Sequence, residues 1–422
     1  MPQTSKQNRI RRMLLFIVCA TCAAFYTWSV VKIYLAQRLA DHSDEPSLLR
    51  AIALAPQNAD YHNLLCRRMI FVSEEPQRAL SECKKASTLN PYNSSIWLDL
   101  AQAYYFTGDR QLSIAVTQKA LAVDPTTPDT LWSVANFFLI QGNASEAMKQ
   151  FAIVLREEPS LAPAVLNICW QSLHDTNRIQ SILPPNPQIY MAFIKLLLST
   201  GDVNSASHIW SSLMLSKLAL DYRQGLFYID SLLQNHEVTQ ASEAWKQLAL
   251  RSKTLQAYFQ PDNLIMDGSF SQEILNSGFD WRYSPKPQIS VTLDRAEFHT
   301  ADRSLKLVYN GGGGDAGIFQ YIAVQPGTRY RLSAWVRSED LEAANGPVLA
   351  VVDSDNNETY SSTEETIGTT TWHRVETVLQ TGPETRLLIL AVLRRPGETH
   401  IQGNFWIDDI KLEALPPGET AQ

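Results

Sequence analysis

Pro56, Pro91, Pro125 and Pro159 stand 35, 34 and 34 residues apart. A beat of that length is far longer than a helix or strand period and marks a repeated pair of helices. One such hairpin cannot bury its apolar face alone, so copies must stack. The residues between the prolines keep phase. Trp97, Leu100, Ala101, Tyr104 and Gly108 lead to Ala120 and Pro125; Leu131, Val134, Ala135, Phe138 and Gly142 lead to Ala147, Phe151 and Pro159. Small Ala101 and Ala135 let two helices approach while the bulky residues fill the gap between them. Gly108 and Gly142 close the first helix, and each proline stops the second, because it lacks an N–H and disfavours helix at the preceding residue. An ordinary helical bundle would not require this beat.

These positions resemble tetratricopeptide repeats, and the resemblance implies an α-solenoid that binds another protein rather than performing chemistry. Three good repeats run to Pro159, Leu161–Leu183 reads as a truncated one ending at Pro184-Pro185, and the phase then returns in weaker form. Tyr190, Phe193, Leu197, Gly201, Ala206 and Trp210 follow the same offsets, as do Tyr228, Leu232, Ala241 and Trp245, so the array is expected over 47–255. Stacked hairpins present a concave surface built from successive first helices. In the best repeat, Asp99 and Gln102 are the expected protein-binding positions, while Leu100 and Ala101 pack inward.

The N-terminus differs from everything after it. A basic segment over 1–12, with Lys6, Arg9, Arg11 and Arg12, precedes an uncharged run from Met13 to Val31. Nineteen helical residues reach about 28 Å, close to the hydrocarbon thickness of a bilayer. Tyr26, Trp28 and Tyr34 suit the far interface, and Lys32 can snorkel outward. A transmembrane helix over 13–35 is therefore expected, single-pass in a cell inner membrane, with the cations retained on the cytoplasmic side and the bulk of the chain beyond it. A cleaved signal peptide is the competing reading, opposed by the apolar run continuing through Phe25, Tyr26 and Trp28. The net charge of -7, with no basic patch standing out past the N-terminus, argues against a nucleic-acid partner, and none is expected.

Five cysteines are too few for a disulfide scaffold. Cys19 and Cys22 lie in the apolar run. Cys66 and Cys169 take the small-residue position of Ala101, which suits buried thiols; a Cys66–Cys83 bridge in an oxidising compartment stands as the alternative. No CxxC or Cys/His spacing suggests zinc.

From 258 to 416 the texture turns to alternating strands and Gly/Pro/Asn/Asp turns, expected to form a β-sandwich, with 417–422 as a tail. The clearest strands are Ile318–Val324, Tyr330–Arg337, Val348–Val352, Arg386–Leu393 and Phe405–Leu412. The order of motifs is informative: Asn263-Leu264-Ile265-Met266-Asp267-Gly268-Ser269-Phe270, then Trp281, Ser304-Leu305, Pro326-Gly327, Tyr330–Arg337, Trp372 and Trp406-Ile407-Asp408-Asp409-Ile410. This resembles the galactose-binding-like jelly roll, especially carbohydrate-binding modules of families four and nine. The resemblance implies a structural calcium near Asp267 and Asp409, although Ser271 stands where the family has an acidic residue; otherwise these aspartates support turns and strand ends. No other cofactor is expected.

Alternation puts Tyr330, Leu332, Ala334 and Val336 on a core face and Arg331, Ser333, Trp335 and Arg337 on the opposite one. Trp335 between two guanidiniums is the expected carbohydrate-binding plate, with Gln320 as an addition; packing is the competing role for a tryptophan on a sheet. Gly312–Gly317 matches GxGxxG, but a strand follows where a nucleotide site needs a helix N-terminus. No HExxH, GxSxG or Walker lysine appears, and no carboxylate pair stands out as a glycosidase site. The fold class read from the chain is multidomain α plus β: a membrane helix, a helical solenoid and a jelly roll. The expected function is a noncatalytic scaffold holding a protein through the repeats and an envelope or exported polysaccharide through the sandwich. Its rivals are an envelope assembly factor without a sugar ligand and a carbohydrate-active enzyme.

Overall fold

Pro56 and Pro91 of the 34-residue beat are each followed by a side-chain-capped helix, whereas the helices after Pro125 and Pro159 begin without such a cap. In the computed structural model, which describes residues 3–300, 302–312, 314–394 and 400–416, Asn58, Asn93, Asp109 and Asn143 each accept a backbone N–H of the helix they precede. The tail at 417–422 and Gly313 of the glycine run lie outside the described residues, as do the side chains of Lys6 and Arg9. The helices are α1 (Gln3–Asp41), α2 (Glu45–Leu54), α3 (Ala59–Phe71), α4 (Pro76–Leu89), α5 (Ser94–Phe106), α6 (Arg110–Val123), α7 (Pro128–Ile140), α8 (Ala144–Glu157), α9 (Ala162–Leu173) and α10 (Thr176–Gln180). After α5 and α7 the chain needs a left-handed residue. Gly108 (φ +88°) and Gly142 (φ +79°) supply it, and Asp109 N–H then reaches back to Tyr104 O at 3.0 Å.

The repeat position of Trp97 has a second task. Its indole N–H donates to Pro91 O at 2.9 Å, and His62, one repeat earlier, places Nε2 3.0 Å from Pro56 O. Both side chains thus hold the chain where the preceding hairpin ends. Cys66 on α3 and Cys83 on α4 form a disulfide with Cα atoms 5.4 Å apart, the second of the two roles open to Cys66; Cys169 is a buried free thiol.

Residues 11–41 are long and apolar enough to cross a membrane or to serve as a signal sequence. The helix does not stop at the expected end of the span. It continues to Asp41, and Ala36 and Ala40 are buried with Leu48, Ala51, Tyr61 and Leu65. Tyr61 Oη also donates to Gln37 at 3.2 Å.

The chain divides into two compact units, residues 1–189 and 190–422, with the division inside α11 (Pro187–Ser199). The second unit continues with α12 (Val203–Leu215), α13 (Tyr222–Gln234), α14 (Val238–Arg251) and α15 (Lys253–Gln256), then ten strands: β1 (Arg282–Tyr283), β2 (Ile289–Asp294), β3 (Ser304–Asn310), β4 (Ile318–Ala323), β5 (Arg329–Ala343), β6 (Val348–Asp353), β7 (Thr359–Ser362), β8 (Gly368–Gln380), β9 (Leu387–Leu393) and β10 (Ile401–Ala414). They form two five-stranded antiparallel sheets, ordered β1-β4-β9-β6-β7 and β2-β3-β10-β5-β8. Leu305, Leu307, Leu332, Val336, Leu388, Leu390 and Phe405 fill the space between them, as alternation requires.

The opening and closing motifs meet in this fold. Asn263 Oδ1 accepts Ile265 N–H and Leu412 N–H, and its Nδ2 donates to Ile410 O. Within the same unit, α13 and α14 are fastened to the sandwich. Asp230 accepts from Ser277 Oγ (2.6 Å), Gly278 N (2.7 Å) and the Arg282 guanidinium. Trp245, 2% exposed, lies over Gly278 and beside Phe259 and Phe279.

Candidate functional site

The outward face of the second sheet carries a row of alternating cations and rings. Register places Lys306 of β3 beside Trp406 of β10, and Trp406 beside Arg337 of β5. The Lys306 ammonium and the Arg337 guanidinium lie 4.6 and 4.7 Å from the Trp406 ring. Arg337 is also held by Glu297 at 3.0 Å. Trp335 belongs to the next row, between Asp408 and Arg374.

Trp335 does point away from the core, but it is not an open plate. The His299 imidazole stacks on it with ring centres 3.8 Å apart and planes 13° from parallel. Asp408 fixes that roof by accepting His299 N–H (2.8 Å) and Thr300 N–H (2.7 Å). Burial raises the Asp408 carboxyl above the ordinary carboxylate range, against the lowering effect of these donors. Asp408, midway along β10, therefore fastens the β2–β3 loop across this face. Arg331 is half-buried, opposite Glu413 and Val378 in the register.

Gln320 departs from its expected place. It is fully buried, pointing inward with Ile318 and Ile322, and its amide is spent on Met266: Oε1 accepts Met266 N–H at 2.9 Å and Nε2 donates to Met266 O at 2.8 Å. The outward residues of β4 are Phe319 and Tyr321, both half-buried, in edge contact at 5.4 Å. Beside them are half-buried Ile389 and Leu393 of β9 and Val348 and Val352 of β6. The Arg282 guanidinium sits 5.2 Å from the Tyr321 ring. Sequence reasoning missed this face because β4 is apolar on both sides, so alternation identifies two sets without telling which is inside.

The expected calcium ligands do not form a cation cradle. Both Asp267 oxygens are taken by backbone donors, Ser271 N at 2.8 Å and Gln272 N at 3.0 Å; burial pushes the carboxyl up to about 6. Asp409 Oδ1 lies 3.4 Å from Lys411 Nζ. The Ser271 carbonyl receives the buried Arg303 guanidinium, so the positive charge here is built in. Among the described residues no group of three or more His, Cys, Asp or Glu could hold a metal.

In the helical array, Asp99 is buried rather than outward. It accepts Asn63 Nδ2 at 2.7 Å, with Arg67 Nε 3.8 Å away, and burial pushes its carboxyl up to about 6. It ties α5 to α3. Gln102 is half-buried, with Oε1 enclosed and unpartnered. Large apolar side chains left exposed on these first helices include Phe71, Phe106 and Ile140, 54%, 53% and 59% exposed. They share one repeat position, and the Phe71 and Phe106 rings meet edge-on at 6.2 Å. Their 35- and 34-residue spacing was the available signal.

Residues 262–395 match the carbohydrate binding domain family. Of the solved structures that resemble the chain, a family 16 carbohydrate binding module is 22% identical, with a TM-score of 0.26, over 36% of this chain and 99% of that one. A tetratricopeptide repeat protein from Parabacteroides merdae is 15% identical, with a TM-score of 0.30, over 54% of this chain and 96% of that one. The enzymatically active domain of bacteriophage CBA120 tailspike protein 4 is 14% identical, with a TM-score of 0.28; 36% of this chain is covered, but only 22% of that one. No curated protein matches the chain.

Proposed function

We propose that this protein is a noncatalytic, membrane-anchored scaffold of the cell envelope. In this reading the repeats hold a protein partner and the sandwich holds an envelope or exported polysaccharide, as in an exopolysaccharide assembly system. The observation that carries the sugar assignment is the carbohydrate binding domain match over 262–395. The geometry favours the Phe319–Tyr321 face over Trp335, because His299 already stacks on the Trp335 indole, whereas the outward, half-buried Phe319 and Tyr321 rings meet each other only edge-on. The exposed Phe71, Phe106 and Ile140 strip is the favoured protein contact.

An uncleaved anchor at the inner membrane is supported by the apolar run, which continues through Phe25, Tyr26 and Trp28 past the small residues where a signal peptide would be cut, and by α1 running on unbroken into the first apolar cluster of the array. The Cys66–Cys83 disulfide supports an oxidising, extracytoplasmic compartment. A second reading, protein binding by both domains, is favoured by the largely aliphatic lining of the β4–β9–β6 face.

The test is co-sedimentation of the detergent-solubilised chain with extracted envelope polysaccharide, using wild type, Tyr321→Ala and Trp335→Ala. Loss of binding in folded Tyr321→Ala, with Trp335→Ala still binding, is the expected result. Absence of any polysaccharide binding by the wild type sinks the sugar assignment and leaves the second reading.

A further inference from the structure

The truncated repeat opens a cleft. Helices α4, α6 and α8 each run 14 residues, whereas α10 stops after five and the chain turns through Pro184-Pro185. Between α8, α10 and this turn lies a cavity of ≈ 470 Å³, within the range of small-ligand sites. Lys149 and Arg156 of α8 and Arg178 of α10 line it, and no acidic residue does. That is a local reversal in a chain of net charge -7. Lys149 is paired with Glu146 at 2.6 Å, but Arg156 and Arg178 are exposed and form no ion pair among the described residues. Met148, Ala152 and Leu183 supply an apolar lining.

We infer that this cleft binds an acidic peptide segment of a partner protein, with carboxylates on Arg156 and Arg178 and an aliphatic side chain between them. Guanidinium groups match carboxylates in charge and in fork geometry. The lining contains no aromatic residue, so a sugar ring finds no plate, whereas Met148, Ala152 and Leu183 suit a leucine-like side chain. The site lies on the second helices of the hairpins, separate from the Phe71–Phe106–Ile140 strip and from the sandwich. It stands whether or not the sandwich binds a polysaccharide.

The test is fluorescence anisotropy of the full chain in detergent with a labelled, N-acetylated peptide of alternating glutamate and leucine. The same peptide with lysine for glutamate, and polygalacturonate, are the controls. Arg156→Gln and Arg178→Gln remove exposed charges and should leave the helical signal unchanged while weakening peptide binding about tenfold each. Ala152→Phe fills the cleft without altering charge and should weaken binding at least as much. Phe106→Ala should have no effect, which separates this site from the first-helix surface. The inference is overturned if Ala152→Phe binds normally, since charge alone would then hold the peptide. It is also overturned if the lysine peptide binds equally well, or if polygalacturonate binds in preference to the glutamate peptide.

Discussion

Gly278→Ala tests whether α13, α14 and the sandwich behave as one cooperative body. A Cβ built on Gly278 lies 2.3 Å from Trp245 Cζ3, 2.7 Å from Cε3 and 3.1 Å from Cη2. Ordinary carbon contacts are about 3.5–4.0 Å, so the indole must retreat by more than an ångström. It has little room to do so, being 2% exposed and flanked by Phe259 and Phe279 with ring centres 6.1 Å away. Overpacking of this kind costs about 1–3 kcal/mol, and the left-handed φ of +61° adds about 1–2 kcal/mol once a Cβ is present. The total of about 2–5 kcal/mol corresponds to a fall of roughly 5–15 °C in the melting temperature of a unit this size.

Gly327→Ala is the matched control. Its φ is +63°, but a Cβ there meets nothing within 4 Å, so it reports the backbone cost alone. Scanning calorimetry of the detergent-solubilised chain should show the transition of residues 190–422 lowered by Gly278→Ala, with that of residues 1–189 unmoved. Trp245→Leu combined with Gly278→Ala should cost less than the sum of the singles, because the smaller side chain relieves the clash. Equal losses for Gly278→Ala and Gly327→Ala would refute the reasoning.

Three further outcomes are expected. Asp280 is fully buried with Oδ1 unpartnered, and burial pushes its carboxyl up to about 7. The folded state therefore holds a proton that the unfolded state has released, so this group's contribution to stability falls as pH rises from about 4 to 7, by at most about 1.4 kcal/mol per pH unit. Asp280→Asn should flatten the melting profile in that window and raise the melting temperature at pH 8; a wild-type profile already flat there rejects the argument. Cys66→Ser should lower the stability of the first unit by about 2–3 kcal/mol, given a 17-residue separation, and alkylation of the denatured, unreduced wild type should leave Cys66 and Cys83 unlabelled. Trp335→Ala should lower the melting temperature through loss of the His299 stack, roughly 1–3 kcal/mol; a variant that melts normally but no longer binds polysaccharide would restore Trp335 as a ligand plate.

What the chain by itself determined is what lies within one repeat or one strand. The proline beat, the small residues at 101 and 135 and the closing glycines at 108 and 142 describe a helix hairpin completely, because hairpin geometry depends on neighbours a few residues away. Alternation likewise separated Tyr330, Leu332, Ala334 and Val336 from Trp335 correctly. The tertiary structure decided which faces stay open. His299 stacks on Trp335 from 36 positions upstream, Asn63 reaches Asp99 across the same separation, and Met266 claims Gln320 from 54 away. A period of two or 3.6 assigns a side chain to a face but carries no record of the distant segment that covers it. For the same reason the expected plate became part of a roofed layer, while Phe319 and Tyr321, hidden in a strand apolar on both sides, turned out to be its outward, half-buried residues. The joint between α13, α14 and the sandwich was equally illegible, since Asp230, Trp245 and Gly278 acquire their roles only once folding brings them together.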